Sequence, residues 1–214
     1  MDAALLDTCV LLKSYLCDTL LSIAEEGAFR PLWSDHILAE LRRNLIKSGA
    51  KQAAVEHRLE QMATYFPDAR VTGYEELMGS MTSHPKDRHV LAAAVAGRAD
   101  ALVTENLKDF PPESVAHLGI AVSGQDDFLA GLLELYPDDV LSALRRQSSR
   151  YRREPRSVPA LLSILAGAGQ GSPEFARRCR PGCWKGISPA SSSRTSVGRE
   201  TPRTSAASLV DKII

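Results

Sequence analysis

Short, wholly apolar runs alternate along this chain with longer stretches in which apolar residues recur every three or four positions. Residues 3–6 (Ala-Ala-Leu-Leu) are continuously apolar and stop at Asp7, the pattern of a strand buried on both faces in a parallel sheet. Leu11, Leu12, Tyr15, Leu16, Leu20 and Ile23 follow at helical spacing, and Glu26-Gly27 ends that helix. Residues 29–33 predict a second strand, weakened by Pro31. Ser34 is placed to cap the next helix, whose buried stripe is Ile37, Leu38, Leu41 and Leu45. Glu40 and Asn44 lie one turn apart on the border of that stripe. Residues 51–66 predict a further amphipathic helix closed by Pro67, residues 69–72 a strand, and residues 74–81 a short helix or loop.

The next helix, residues 87–97, opens on Asp87. Val90, Leu91, Ala94 and Val95 face inward, and Ala92, Ala93 and Ala96 let neighbours approach closely. Asp87 projects toward the same inward arc, where a carboxylate needs a partner. Residues 101–104 predict a buried strand and residues 117–122 the last one. Strands alternating with helices imply a three-layer α/β/α fold with a mainly parallel sheet of four or five strands. Residues 125–135, 138–153 and 158–165 predict three more helices. The expected division is an α/β domain over residues 1–128, a helical extension over 129–168, and an irregular tail over 169–214. That tail is rich in Gly, Ser, Pro, Arg and Thr, and its opening Gly-Ser-Pro-Glu-Phe resembles a cloning-site linker, which predicts disorder or non-native sequence.

Charge changes this picture only in its distribution. The whole chain is formally neutral, but from Gly171 onward eight Lys and Arg face three Asp and Glu, which leaves 18 basic against 23 acidic residues before it. A mildly acidic body does not predict a long basic groove for nucleic acid. The four cysteines (Cys9, Cys17, Cys179, Cys183) have neither zinc-site company nor a disulfide framework, which predicts a reduced, cytoplasmic protein. No signal peptide or membrane-spanning run is expected. The five histidines form no HExxH pattern, and no GxGxxG, Walker-type or GxSxG loop occurs.

The chemistry is carried by acids. In a parallel α/β sheet ligands bind beyond the carboxyl ends of the strands, where Asp7 and residues 105–109 must emerge. Converging carboxylates repel one another and favour a bound hard cation, Mg2+ or Mn2+, able to activate water and stabilise charge on a phosphodiester. Each acid also has a plainer reading. Asp7 fits a helix cap, Glu40 a solvated helix border, Asp87 a helix N-terminus, and Asp109 a turn before Phe110-Pro111. Their joint placement favours the site. Basic residues flank it (Lys47, Lys86, Arg88, Lys108) and suit phosphate contacts or ordinary surface charge equally. Arg145, Arg146, Arg150, Arg152, Arg153 and Arg156 form a basic run that is either a solvated face or an auxiliary RNA contact.

Four blocks in order resemble PIN-domain nucleases: Leu6-Asp7-Thr8-Cys9-Val10-Leu11-Leu12, then residues 37–45 around Glu40, residues 87–94, and residues 99–111 with Thr104-Glu105-Asn106-Leu107-Lys108-Asp109. The chain looks in particular like the toxin branch of bacterial toxin–antitoxin pairs, VapC type, with a helical extension similar to that of a subset. The resemblance implies Mg2+-dependent (or Mn2+-dependent) endoribonuclease activity on RNA, a cognate antitoxin and a homodimer. It assigns catalysis to Asp7, Glu40, Asp87 and Asp109, with metal ligands drawn from Asp7, Asp87, Asn106 and Asp109. The fourth block departs from many relatives, which carry an acid where Asn106 stands, so Asn106 and Asp109 remain alternatives. Thr8, Asn44, Thr104, Lys86, Arg88 and Lys108 are expected in supporting or RNA-positioning roles. The alternative is a non-cleaving RNA- or protein-binding module that retains the fold.

Overall fold

The computed structural model describes residues 2–180. Among them five strands form one parallel sheet in the order β3-β2-β1-β4-β5, flanked by helices in the expected α/β/α arrangement. The strands are β1 (Ala3–Leu6), β2 (Arg30–Ser34), β3 (Arg70–Val71), β4 (Ala101–Val103) and β5 (Ala121–Ser123). Continuous apolarity places β1 in the middle: all four of its residues are buried, and it pairs Ala4 with Pro31 on one side and Ala101 on the other. Asp100 closes the opposite end of the sheet from Asp7. Its carboxylate takes the Ala3 N–H at 2.8 Å, its own N–H goes to the Ala3 carbonyl, and its carbonyl takes the Ala121 N–H.

Pro31 sits inside β2 after all, and the register explains why it is tolerated. The Arg30 N–H donates toward the β1 side, to the Asp2 carbonyl at 2.9 Å, so the Pro31 nitrogen faces the β3 side. β3 pairs only with Trp33 and Ser34, so no ladder bond is lost at Pro31.

The connecting helices are α1 (Thr8–Leu11), α2 (Ser14–Glu25), α3 (Asp35–Lys47), α4 (Gln52–Tyr65), α5 (Arg88–Ala96) and α6 (Pro112–Val115). The Ser34 hydroxyl caps α3 by accepting from Ile37 N at 3.3 Å. The small residues of α5 let it lie against the sheet, and Gly97 completes the approach. A Cβ there would stand 2.8 Å from Val71 and 2.9 Å from Leu32.

Three local expectations are corrected. The single first helix is two, because Asp7 starts α1 early and Lys13, in extended conformation, breaks the run before α2. The last strand begins at Ala121 rather than at 117. Pro112 starts α6, a 3-10 turn follows over Ala116–Leu118, and Gly119 turns left-handed at φ 69°. The tail is not irregular throughout. Beyond α7 (Gln125–Leu135), α8 (Pro137–Arg150) and α9 (Val158–Ala166), a helix α10 (Pro173–Arg178) packs on α7 and α9. It buries Phe175, Ala176 and Cys179. The Asp126 carboxylate caps it from α7, accepting from Glu174 N at 3.0 Å and Phe175 N at 2.8 Å. The expected boundary at residue 128 falls within α7. The rest of the expected tail, residues 181–214, lies outside the described residues.

The extension is fastened to the α/β part by a buried polar network. α8 runs antiparallel to α2: Ser142 bonds Glu26 at one end, and Tyr151 donates to Asp18 at 2.6 Å at the other. Gln147, buried between them, accepts from Thr19 at 2.9 Å and donates to Tyr151 at 2.7 Å. Burial first, then Asp18, raises the Tyr151 pKa and keeps its hydroxyl a donor. Arg146 and Arg150 pair with Glu25 and Glu26, which takes two residues of the basic run out of contention for RNA. Arg145, Arg153 and Arg156 stay exposed. Among the described residues no helix is long and apolar enough to cross a membrane.

Candidate active site

The end of β1 delivers Asp7, which is buried and extended in backbone and can therefore cap α1. Its Oδ1 accepts the Thr8 N–H at 2.6 Å. Its Oδ2 accepts the Thr104 hydroxyl at 2.6 Å and the Cys9 thiol at 3.3 Å. The cap reading is thus met by Oδ1, while Oδ2 turns to Thr104 and Cys9. Thr8 turns its hydroxyl the other way, onto Glu40 Oε2 of α3 at 3.0 Å. Thr104 in turn accepts the Asn106 N–H at 3.1 Å. Glu40, Thr8, Asp7, Thr104 and Asn106 therefore form one continuous chain of hydrogen bonds across residues drawn from three parts of the sequence.

Asp87 caps no backbone N–H, although it stands at the N-cap position of α5. Its Oδ2 is buried without a hydrogen-bond partner, and the exposed His84 ring stands 3.7 Å away. Burial first, and then the Asp109 and Asp7 carboxylates, raise its pKa, while Lys86 and His84 pull it down. Asp87 thus lies within the field of both Asp109 and Asp7. Burial and the neighbouring His36 lower the His89 pKa, against Glu40, Asp7 and Asp87, which raise it. The His36 and His89 rings lie 5.3 Å apart, and His36 Nδ1 meets the Tyr74 hydroxyl at 2.7 Å.

Asn44 is half-buried on α3, one turn past Glu40. Lys86 and Lys108 are exposed, and Arg88 Nε reaches the Ser83 carbonyl at 3.4 Å. Asn106 is exposed and Asp109 half-buried, on the loop after β4. Among the described residues no group of three or more His, Cys, Asp or Glu side chains is placed to hold a metal ion. The donor set nonetheless fits a hard divalent cation: all its atoms are oxygens, and one buried carboxylate oxygen is left without a protein partner.

The sequence gives no sign of several participants. Cys9 is wedged between Asp7, Thr104 and the Glu105 N–H, and burial with the Asp7 charge pushes its thiol up to about 11. Lys13 pairs with Glu105 at 2.5 Å across 92 residues, and His36, Tyr74 and His89 meet from three separate elements. Cys9, His89 and Glu105 lie within the four blocks, but no period or spacing there marks the contacts they make.

Comparison with known proteins agrees with this architecture. Residues 3–108 match the family described as PIN domain, and residues 125–181 the family described as VapC50 C-terminal domain. A protein of Mycobacterium tuberculosis (strain ATCC 25618 / H37Rv) named "Putative ribonuclease VapC50" is 39% identical over 108 residues, 50% of this chain and 62% of that one. The match thus spans less than two thirds of that relative's length. No solved structure matches.

Proposed function

Since the chain belongs to the PIN-domain family and carries a C-terminal domain of the VapC50 type, we propose that it is a divalent-cation-dependent endoribonuclease, the toxin of a toxin–antitoxin pair. The observation that carries this reading is the unpartnered, buried Asp87 Oδ2 facing the field of Asp7 and Asp109. Asp7, Asp87 and either Asn106 or Asp109 would hold Mg2+ or Mn2+. When bound, the ion supplies a Lewis acid and lowers the pKa of a coordinated water.

The chain's own residues do the rest. Thr8 and Thr104 hold Glu40 and Asp7 in fixed orientations, so little reorganisation is needed as charge develops. Glu40, steadied through Oε2, orients the attacking water or contributes to a second ion site. Lys86, Arg88 and Lys108 bind phosphates beside the cut, which positions RNA without reading its sequence. Asn44 supports the Glu40 side of the groove. The cognate antitoxin binds the toxin in the cytoplasm, and the active form is a homodimer.

A second reading, a non-cleaving RNA- or protein-binding PIN fold, is favoured by one feature, the neutral Asn106 beside an edge with no closed cage. Incubating the purified protein with single-stranded RNA, with and without Mg2+ or Mn2+, separates the two. Ion-dependent cleavage that disappears in Asp7→Asn supports the nuclease. Cleavage that survives chelation, or stable binding without cleavage at any ion, sinks it.

A further inference from the structure

After α9 the chain returns to the acid edge. Gln170 Oε1 accepts the Leu16 N–H at 3.0 Å, and the Gln170 carbonyl takes Lys13 Nζ at 3.4 Å. The Gly171 carbonyl accepts Gln125 Nε2 at 3.0 Å. Lys13 and Gln125 each also hold Glu105, both through Oε1, at 2.5 Å and 3.1 Å. Glu105 lies between Thr104, which bonds Asp7, and Asn106, and its own N–H points to Cys9 Sγ at 3.3 Å. One buried amide nitrogen, that of Gln125, thus bridges the C-terminal strap to the loop after β4.

Gly171 makes the bridge possible. Its φ is 65°, and a Cβ there would stand 2.6 Å from Gln125 Nε2 and 3.1 Å from Lys13 Nζ, the two atoms that grip Glu105. Docking alone does not require this arrangement, because the Asp18, Tyr151 and Gln147 network already fastens α8 to α2 without a bond to the loop. Lys13 and Gln125 hold the segment that carries Asn106 and Asp109, and the strap holds both of them.

We propose that the strap over residues 167–172 is a positioning element of the acid edge. Acting through Gln125 and Lys13, it fixes Glu105 and thereby the orientation of the loop over residues 104–109. The C-terminal domain then completes the site without contributing a ligand to it. The catalytic meaning rests on the nuclease reading above; the mechanical link from strap to loop does not.

The test uses the full chain with Gln125→Glu, which keeps the shape but sets a carboxylate against Glu105, and with Gly171→Val. Val140→Ala, buried near the start of α8 where that helix meets the Glu26 end of α2, controls for general weakening of the extension. Hydrogen exchange over residues 104–109 should quicken by about tenfold in both strap variants and not in the control. Mn2+ binding by calorimetry should weaken by about tenfold, with the cleavage rate at saturating ion little changed. Unchanged exchange in both variants overturns the link. Faster exchange with wild-type Mn2+ affinity overturns the positioning role. A wild-type chain that neither binds the ion nor cuts RNA overturns the nuclease reading instead, and the exchange comparison still decides the link.

Discussion

Thr104 Oγ1 stands 2.6 Å from Asp7 Oδ2, so a hydroxyl at the end of β4 fixes the carboxylate at the end of β1. The same oxygen takes the Asn106 N–H, which places it at the junction between the buried acid and the exposed loop. Thr104→Val keeps the shape and removes both bonds. Leaving a buried carboxylate short of a donor costs about 1–3 kcal/mol, so the urea midpoint should fall accordingly. Mn2+ affinity should fall by about tenfold or more. Unchanged ion affinity would show that Thr104 has no part in aligning Asp7.

Asp87 gives a prediction with a defined pH course. Burial and neighbouring carboxylates raise its pKa in the folded state, so the folded chain holds that proton more tightly than the unfolded one. Stability then falls as pH rises above the ordinary carboxylate value of about 4 and levels off beyond the folded pKa. In EDTA, Asp87→Asn should therefore melt higher than wild type at neutral pH, and the gap should close as pH falls toward about 4. Added Mn2+ should stabilise wild type and leave the variant where it was. Melting curves in both buffers check this.

Tyr151→Phe removes the donor to buried Asp18 and the acceptor of Gln147. A hydrogen bond to a charged group is worth about 1.5–3 kcal/mol, and the loss should appear in full in urea unfolding at neutral pH. Because the network lies away from the acids, Mn2+ affinity should be unchanged once the variant is folded.

Phe175 is fully buried in a stretch whose composition predicts disorder. Phe175→Ala should cost about 3–5 kcal/mol if α10 is part of the core. Protease cutting between α9 and α10 should become rapid. A variant as stable and as protected as wild type would return residues 173–178 to the tail.

The α/β/α layering with a parallel sheet and the positions of Asp7, Glu40, Asp87 and the loop after β4 were legible because they depend on strong periodic patterns and on the rule that ligands bind beyond strand ends; the strand order was not. The two-residue strand β3 and the three-residue strand β5 were not delimited, because pairing with a neighbour decides so short an element, not its own pattern. α10 was invisible for a related reason. Six residues carry no period, and their order comes from a pocket on α7 and α9 and from the Asp126 carboxylate, 48 residues away. The Lys13, Glu105 and Gln125 node joins the starts of α2 and α7 to the loop after β4, and nothing local marks any of its members.

The distance in sequence between Asp7 and the groups that hold it also bears on synthesis. Thr104 is 97 residues downstream, and the strap closes only at Gly171. At about 5–20 residues per second, roughly ten to thirty seconds separate translation of the first acid from that of the glycine. The nascent polypeptide therefore gains the groups that surround Asp7 in two stages, the Thr104 hydroxyl first and the strap carbonyls much later.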